Sequence, residues 1–177
     1  MATSSLASAL QRVRSVFERH PAAALHADAP ARARWDGGLR VVTHHATGAT
    51  VATDMPKELG GLEGAITPGW LLRAALASCL ATRIAWEAAD RQIAIASLEV
   101  TATSESDARG IFGMTDGAGE RITPAPRAVA LRVRLSAPNV PAESLRAMIE
   151  ESGRCSPVQV AVEQSVPIHL QIEIEPI

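Results

Sequence analysis

The side chains best suited to do chemistry in this 177-residue chain are two cysteines, Cys79 and Cys155, and the arginines that could serve them. Cys79 lies in the middle of "GWLLRAALASCLATRIAW", residues 69–86, a run with helical character. A cysteine reacts as its thiolate, and burial in an apolar helix disfavours that charged form. Cys79 is eleven residues beyond Pro68, out of reach of the helix dipole, which acts mainly within the first turn. A cation must therefore come from elsewhere. Arg83 is one turn on, on the same face. Arg73, six residues back, is rotated by about 240° at 3.6 residues per turn. Arg40, on the first strand, could arrive through the tertiary fold. The other reading of Cys79 is that of a small buried hydrophobe, which is how many free cysteines behave.

The remaining polar groups form weaker constellations. His44 and His45 are adjacent in a strand and point to opposite faces, so they cannot share a metal. His20, His26 and His169 have no ligand spacing. The chain has no G-x-S-x-G elbow, phosphate-cradling loop or dinucleotide fingerprint. Asp107, Arg109 and Gly110 in "ESDARG" read either as a solvated loop or as a pocket rim.

The elements that must position Cys79 and Cys155 follow from periodicity. Residues 3–19 carry Leu6, Leu10, Val13 and Phe17 on one helical face. "HPAAALHADAPARA" reads as a linker, giving residues 1–33 as an N-terminal helix with linker and 34–177 as the main domain. "GLRVVTHHATGATVATDMP" predicts a hairpin turning at "HATGA". "KELGGLEGA" is a Gly-rich loop, after which Thr67 and Pro68 are suited to cap and open a helix that runs to about Arg91. That helix is apolar on every face, which predicts burial between sheets or at a subunit contact. "SLEVTATSESDA" and "RAVALRVRLSA" alternate as strands. "VPAESLRAMIEES" is a helix behind Pro141, and "GRCSPVQVAVEQ" is a turn leading to a short helix or extended segment. "VPIHLQIEIEPI" predicts a closing strand with Ile168, Leu170, Ile172 and Ile174 on one face. The order of elements is α+β rather than an alternating parallel fold.

Composition bounds the partners. A net charge of −2, three Trp, two Phe and no Tyr argue against nucleic acid and against an anionic membrane surface. Arg73 and Arg83 interrupt the longest apolar run below spanning length. "MATSSLASALQRVRSVFERH" has no secretory apolar segment, so a cytoplasmic location is expected, with thiols free or paired in redox chemistry.

Two stretches resemble a known family. "DMPKELGGLEGAITPGWLLRAALASCLATRIAWEAADRQIAIASLEV" is similar to the core signature of the OsmC/Ohr family of osmotically inducible and organic-hydroperoxide-resistance proteins. "SGRCSPVQVAVEQSVPIHLQIEI" resembles its late helix, turn, short helix and strand, and "WDGGLRVVT" resembles its first strand. The resemblance implies an OsmC-like α+β fold, with antiparallel sheets wrapped around a long buried central helix. It also implies an intertwined homodimer with sites at the subunit interface, and no metal or cofactor. Cys79 falls on the peroxidatic position, Cys155 would resolve it as a disulfide, and Arg40 matches the arginine that holds the thiolate and orients the peroxide. The implied partners are an organic hydroperoxide and a dithiol reductant, lipoyl-type or thioredoxin-type. Two positions depart from the better-known peroxidases: Gly69 stands where they carry a glutamate, and Ser156, not a cysteine, directly precedes Pro157. The alternative expectation is a non-catalytic OsmC-like dimer that binds a small molecule or serves a structural role.

Overall fold

The computed structural model describes residues 2–175. Helix α1 (Ala2–Arg19) leads through a single 3-10 turn to an antiparallel sheet of β1 (Arg32–Trp35), β2 (Val41–His44) and β3 (Thr50–Thr53), in that order. A Gly-rich loop then reaches α2 (Pro68–Asp90), the longest helix. Strands β4 (Ser97–Glu105) and β5 (Arg127–Ser136) form a second antiparallel sheet. Helices α3 (Ala142–Arg154) and α4 (Pro157–Glu163) follow. This is a mixed α+β arrangement of antiparallel sheets and helices.

Local chemistry accounts for the boundaries. Thr67 caps α2, its hydroxyl accepting the Trp70 N–H at 3.1 Å, and Pro68 takes the first helical position, where a missing N–H costs nothing. The β2–β3 hairpin turns at residues 45–49, where Gly48 adopts φ +90° and His45 Nδ1 lies 2.8 Å from Thr47 Oγ1. His45 is thus a turn residue. The Gly-rich loop is gathered by Asp54, whose nearly buried carboxylate accepts N–H bonds from Met55, Leu62 and Gly64 at 2.8, 3.2 and 3.1 Å. Those backbone donors, Met55 foremost, hold the Asp54 carboxyl below its usual range. Gly61 is required here, because a Cβ at that position would collide with the Met55 backbone.

The core lies where α2 meets α3 and the second sheet. Leu76, Leu80, Ile84 and Ala88, spaced four apart on α2, are buried, and Met148 of α3 joins Leu80, Ile84 and Ala88 in one cluster. The register of β4 on β5 sets Leu98 opposite Leu135, Val100 opposite Val133 and Ala102 opposite Leu131. Most of these residues pack against the cluster, as their period-two alternation predicts. Each Leu or Ile so buried contributes about 1.5–3 kcal/mol.

Two expectations are revised, and a third, the burial of α2, is narrowed. The segment 20–33 is not a linker throughout, because Arg32 and Ala33 begin β1, which pairs with β2; the boundary expected between residues 33 and 34 falls inside that strand. Helix α2 is not covered on every side within one chain, as Trp70 is 48% and Trp86 43% exposed. Only the β4–β5 sheet packs broadly against α2, and no helix packs broadly against the β1–β3 sheet among the described residues. Residues 165–175 form no strand, and Ile168, Leu170, Ile172 and Ile174 stand 74–93% exposed. A strand exists through hydrogen bonds to a neighbour, and no strand among the described residues pairs with this segment.

Candidate functional site

Cys79 lies on the flank of α2 beside its buried stripe, facing the turn between α3 and α4. Ala75, Ser78, Cys79, Thr82, Arg83 and Trp86 form one wall of a groove of about 580 Å³, and Cys155, Pro157 and Val158 form the other. The first set follows from helical spacing around Cys79, a signal that sequence analysis applied only to Arg83. The lining is mainly apolar, and both cysteines are free thiols.

The side chain nearest to hand for the Cys79 sulfur is Ser156. Its hydroxyl lies 3.3 Å from Cys79 Sγ and donates to it, and the serine is completely buried. Cys155 is exposed and donates its S–H to Glu151 Oε1 at 3.7 Å. The Glu151 carboxyl is held below its usual range by Arg154, whose guanidinium bonds it at 2.7 and 3.0 Å. Met148 and Ser152 anchor α3 against the core beneath this turn, the Ser152 hydroxyl donating to the Met148 carbonyl at 2.8 Å.

The three arginines occupy different places. Arg83 lines the groove with Cys79; its guanidinium pairs with Glu87 at 3.4 Å and sits 5.8 Å from the Trp86 ring centroid. Its Nε is buried without a hydrogen-bond partner. Arg73 points to the second sheet, donating to Ser104 Oγ at 3.3 Å. Gly69 lies on that same side, and a Cβ there would stand 3.8 Å from Arg73 Nη1. Arg40 leads into β2, paired with Asp36 at 3.1 Å and close to Gly64 of the Gly-rich loop. It is not among the residues that line the Cys79 groove within one chain.

A second groove, of about 520 Å³, separates α1 from α2 and shares Arg83 and Trp86 with the first. Helix α1 is tied across it by Arg14, whose guanidinium bonds Asp90 at 3.2 Å. No helix among the described residues is long and apolar enough to cross a membrane.

Comparison with solved structures finds the same fold in several proteins at low identity. An organic hydroperoxide resistance protein OsmC from Legionella pneumophila is 22% identical, with 78% of this chain and 90% of that one covered and a TM-score of 0.53. An OsmC-like protein from Mycoplasma pneumoniae is 15% identical, covering 78% and 89%, with a TM-score of 0.64. An organic hydroperoxide resistance protein from Elizabethkingia anophelis is 21% identical, covering 78% and 89%, with a TM-score of 0.53. Comparison with curated protein sequences gave no match. The family model for OsmC-like proteins matches residues 60–171, from the Gly-rich loop through α2, the second sheet, α3 and α4 into the C-terminal segment. With more than half of its length matched, the chain belongs to the OsmC-like family.

Proposed function

We propose that the protein reduces organic hydroperoxides at Cys79. The observation that supports this most is the groove itself, an apolar trough with one sulfur at its wall, a buried hydroxyl on that sulfur, and a second sulfur at its edge. Relatives of the same fold are named organic hydroperoxide resistance proteins. In this reading the Cys79 thiolate attacks the distal peroxide oxygen. An S–O bond forms, the O–O bond breaks, and the leaving alkoxide takes a proton to become the alcohol. Cys79 is left as sulfenic acid. Cys155 supplies the second sulfur, reaching Cys79 from the edge of the groove once its turn has moved, and a dithiol reductant restores both thiols. Water is the second product.

Arg83 is the cation of the groove within one chain, and Arg40 is proposed to join the site when two chains assemble as a homodimer. Apolar lining suits a substrate with an organic group, since hydrogen peroxide would gain nothing from it.

The test is consumption of cumene hydroperoxide with dithiothreitol as reductant. Cys79→Ser is expected to abolish it, because a serine hydroxyl is too weak an acid to supply the nucleophile and forms no sulfenic acid. Gly69, placed where a glutamate stands in better-known peroxidases, favours a second reading, a non-catalytic module that binds a small apolar molecule in the same groove. Equal and slow consumption by wild type and Cys79→Ser would reject the peroxidase and leave that module.

A further inference from the structure

Two adjacent residues, Cys155 and Ser156, compete for one place. Ser156 is buried with its hydroxyl on Cys79 Sγ, whereas Cys155 is exposed and turned to Glu151. The backbone enforces this choice from both sides. Cys155 ends α3, its N–H bonded to the Glu151 carbonyl at 3.3 Å, and the Ser156 N–H is bonded to the Gly153 carbonyl at 3.0 Å. The Ser156 carbonyl accepts the Val160 N–H at 2.9 Å, which starts α4 behind Pro157. Moving Cys155 into the position of Ser156 requires turning this junction and giving up bonds at the ends of two helices. Both thiols are free, and a disulfide demands a narrow range of side-chain directions, so the Cys155 sulfur must leave Glu151 to close one.

We propose that Ser156 is a positioning residue that holds the Cys79 sulfur and keeps the resolving position from Cys155, so that oxidised Cys79 rests as a sulfenic acid open to an external small thiol. This rests on the reading of Cys79 as the oxidised sulfur. The Ser156 hydroxyl has no second sulfur to share the oxidation, and the Cys155 sulfur is turned to Glu151. A small thiol R′SH entering the groove meets neither restriction. Its sulfur attacks Cys79 Sγ, an S–S bond forms, the S–O bond breaks, and the oxygen leaves as water with the thiol's proton. A second R′SH attacks the mixed disulfide, returning the Cys79 thiol and releasing R′S–SR′. The cycle then consumes two equivalents of monothiol, and Cys155 takes part only on the slower timescale of the turn.

The experiment moves the second sulfur by one residue. Wild type is compared with the double variant Cys155→Ser/Ser156→Cys, each carrying two thiols. Both are treated with one equivalent of cumene hydroperoxide without reductant, then trapped with dimedone and weighed intact. Wild type is expected to yield the dimedone adduct of a Cys79 sulfenic acid, and the double variant to close a disulfide about tenfold or more faster. Diamide, which joins neighbouring thiols without any peroxide, gives the same ranking in a parallel arm. Loss of the peroxide reaction alone would therefore sink the hydroperoxide reading without touching this one. Ser156→Ala, which removes the latch and supplies no sulfur, is expected to speed closure between Cys79 and Cys155 over wild type. The proposal is overturned if wild type closes its disulfide as fast as the double variant, or if Ser156→Ala leaves that rate unchanged.

Discussion

At the scale of single residues, the chain shows how much a one-position choice decides. Cys155 and Ser156 are chemically similar in size, yet one is solvent-exposed and the other sealed against Cys79. A comparable local arrangement governs the loop after β4. Asp107 caps a short 3-10 helix through the Arg109 N–H and pairs with the Arg109 guanidinium at 2.7 Å. That side chain, first among the causes, lowers the Asp107 carboxyl from 3.8 to about 2. A carboxyl depressed on folding stabilises the native state above its unfolded value, and the benefit fades as pH falls through the folded value. Thermal melts of wild type and Asp107→Ala should differ most above about pH 4 and converge only below about pH 2. An unchanged difference across that window would show that the pair is not what holds the loop. Of the two readings of "ESDARG", the loop built around its own ion pair accounts for these contacts.

At the scale of elements, α2 carries both the core and the site on neighbouring faces. Leu76, Leu80, Ile84 and Ala88 go inward, and Ala75, Cys79, Thr82 and Trp86 line the groove. The two faces share a helix, so rigidity in the first sets the position of Cys79 in the second. Ile84, with no exposed surface, stands at the centre of the cluster with Met148. Ile84→Ala is expected to cost about 2–5 kcal/mol, from lost transfer energy and the cavity left behind. Urea unfolding should show a lower midpoint at unchanged slope. A loss below about 1 kcal/mol would mean that the neighbours collapse into the space.

At the scale of the whole molecule, one chain leaves too much apolar surface uncovered. Among the described residues the β1–β3 sheet has no broadly packed helix, Trp70 and Trp86 are half exposed, and the C-terminal segment presents four large aliphatic residues to solvent. A three-stranded sheet is stable when its apolar face is packed, and large exposed apolar patches mark interaction sites. The proposed homodimer would cover all three features and bring Arg40 toward a site. Sedimentation equilibrium is expected to give a particle of about twice 18.6 kDa, and a chain shortened before Val166 should fall toward the monomer. A full-length species that stays at the mass of one chain at micromolar concentration would remove the assembly from the mechanism.

Sequence alone determined the elements whose signals are local. The cap at Thr67, the Pro68 start of α2, the β2–β3 hairpin, and the alternation within β4 and within β5 were all legible, because capping, turn chemistry and period-two alternation act over a few neighbours. It also picked out Cys79 as a thiol in a helix and noted that Ser156 precedes Pro157. Tertiary structure alone decided which arginine stands in the groove, since Arg40, Arg73 and Arg83 differ in their neighbours across the fold and not in their side chains. It decided that Arg32 and Ala33 join a strand, because pairing with β2 supplies hydrogen bonds that an Ala- and Pro-rich context does not announce. The C-terminal segment marks the limit most clearly. Its alternation of Ile168, Leu170, Ile172 and Ile174 encodes a strand, but a strand is a relation between two backbones, and only the fold determines whether a second one is there.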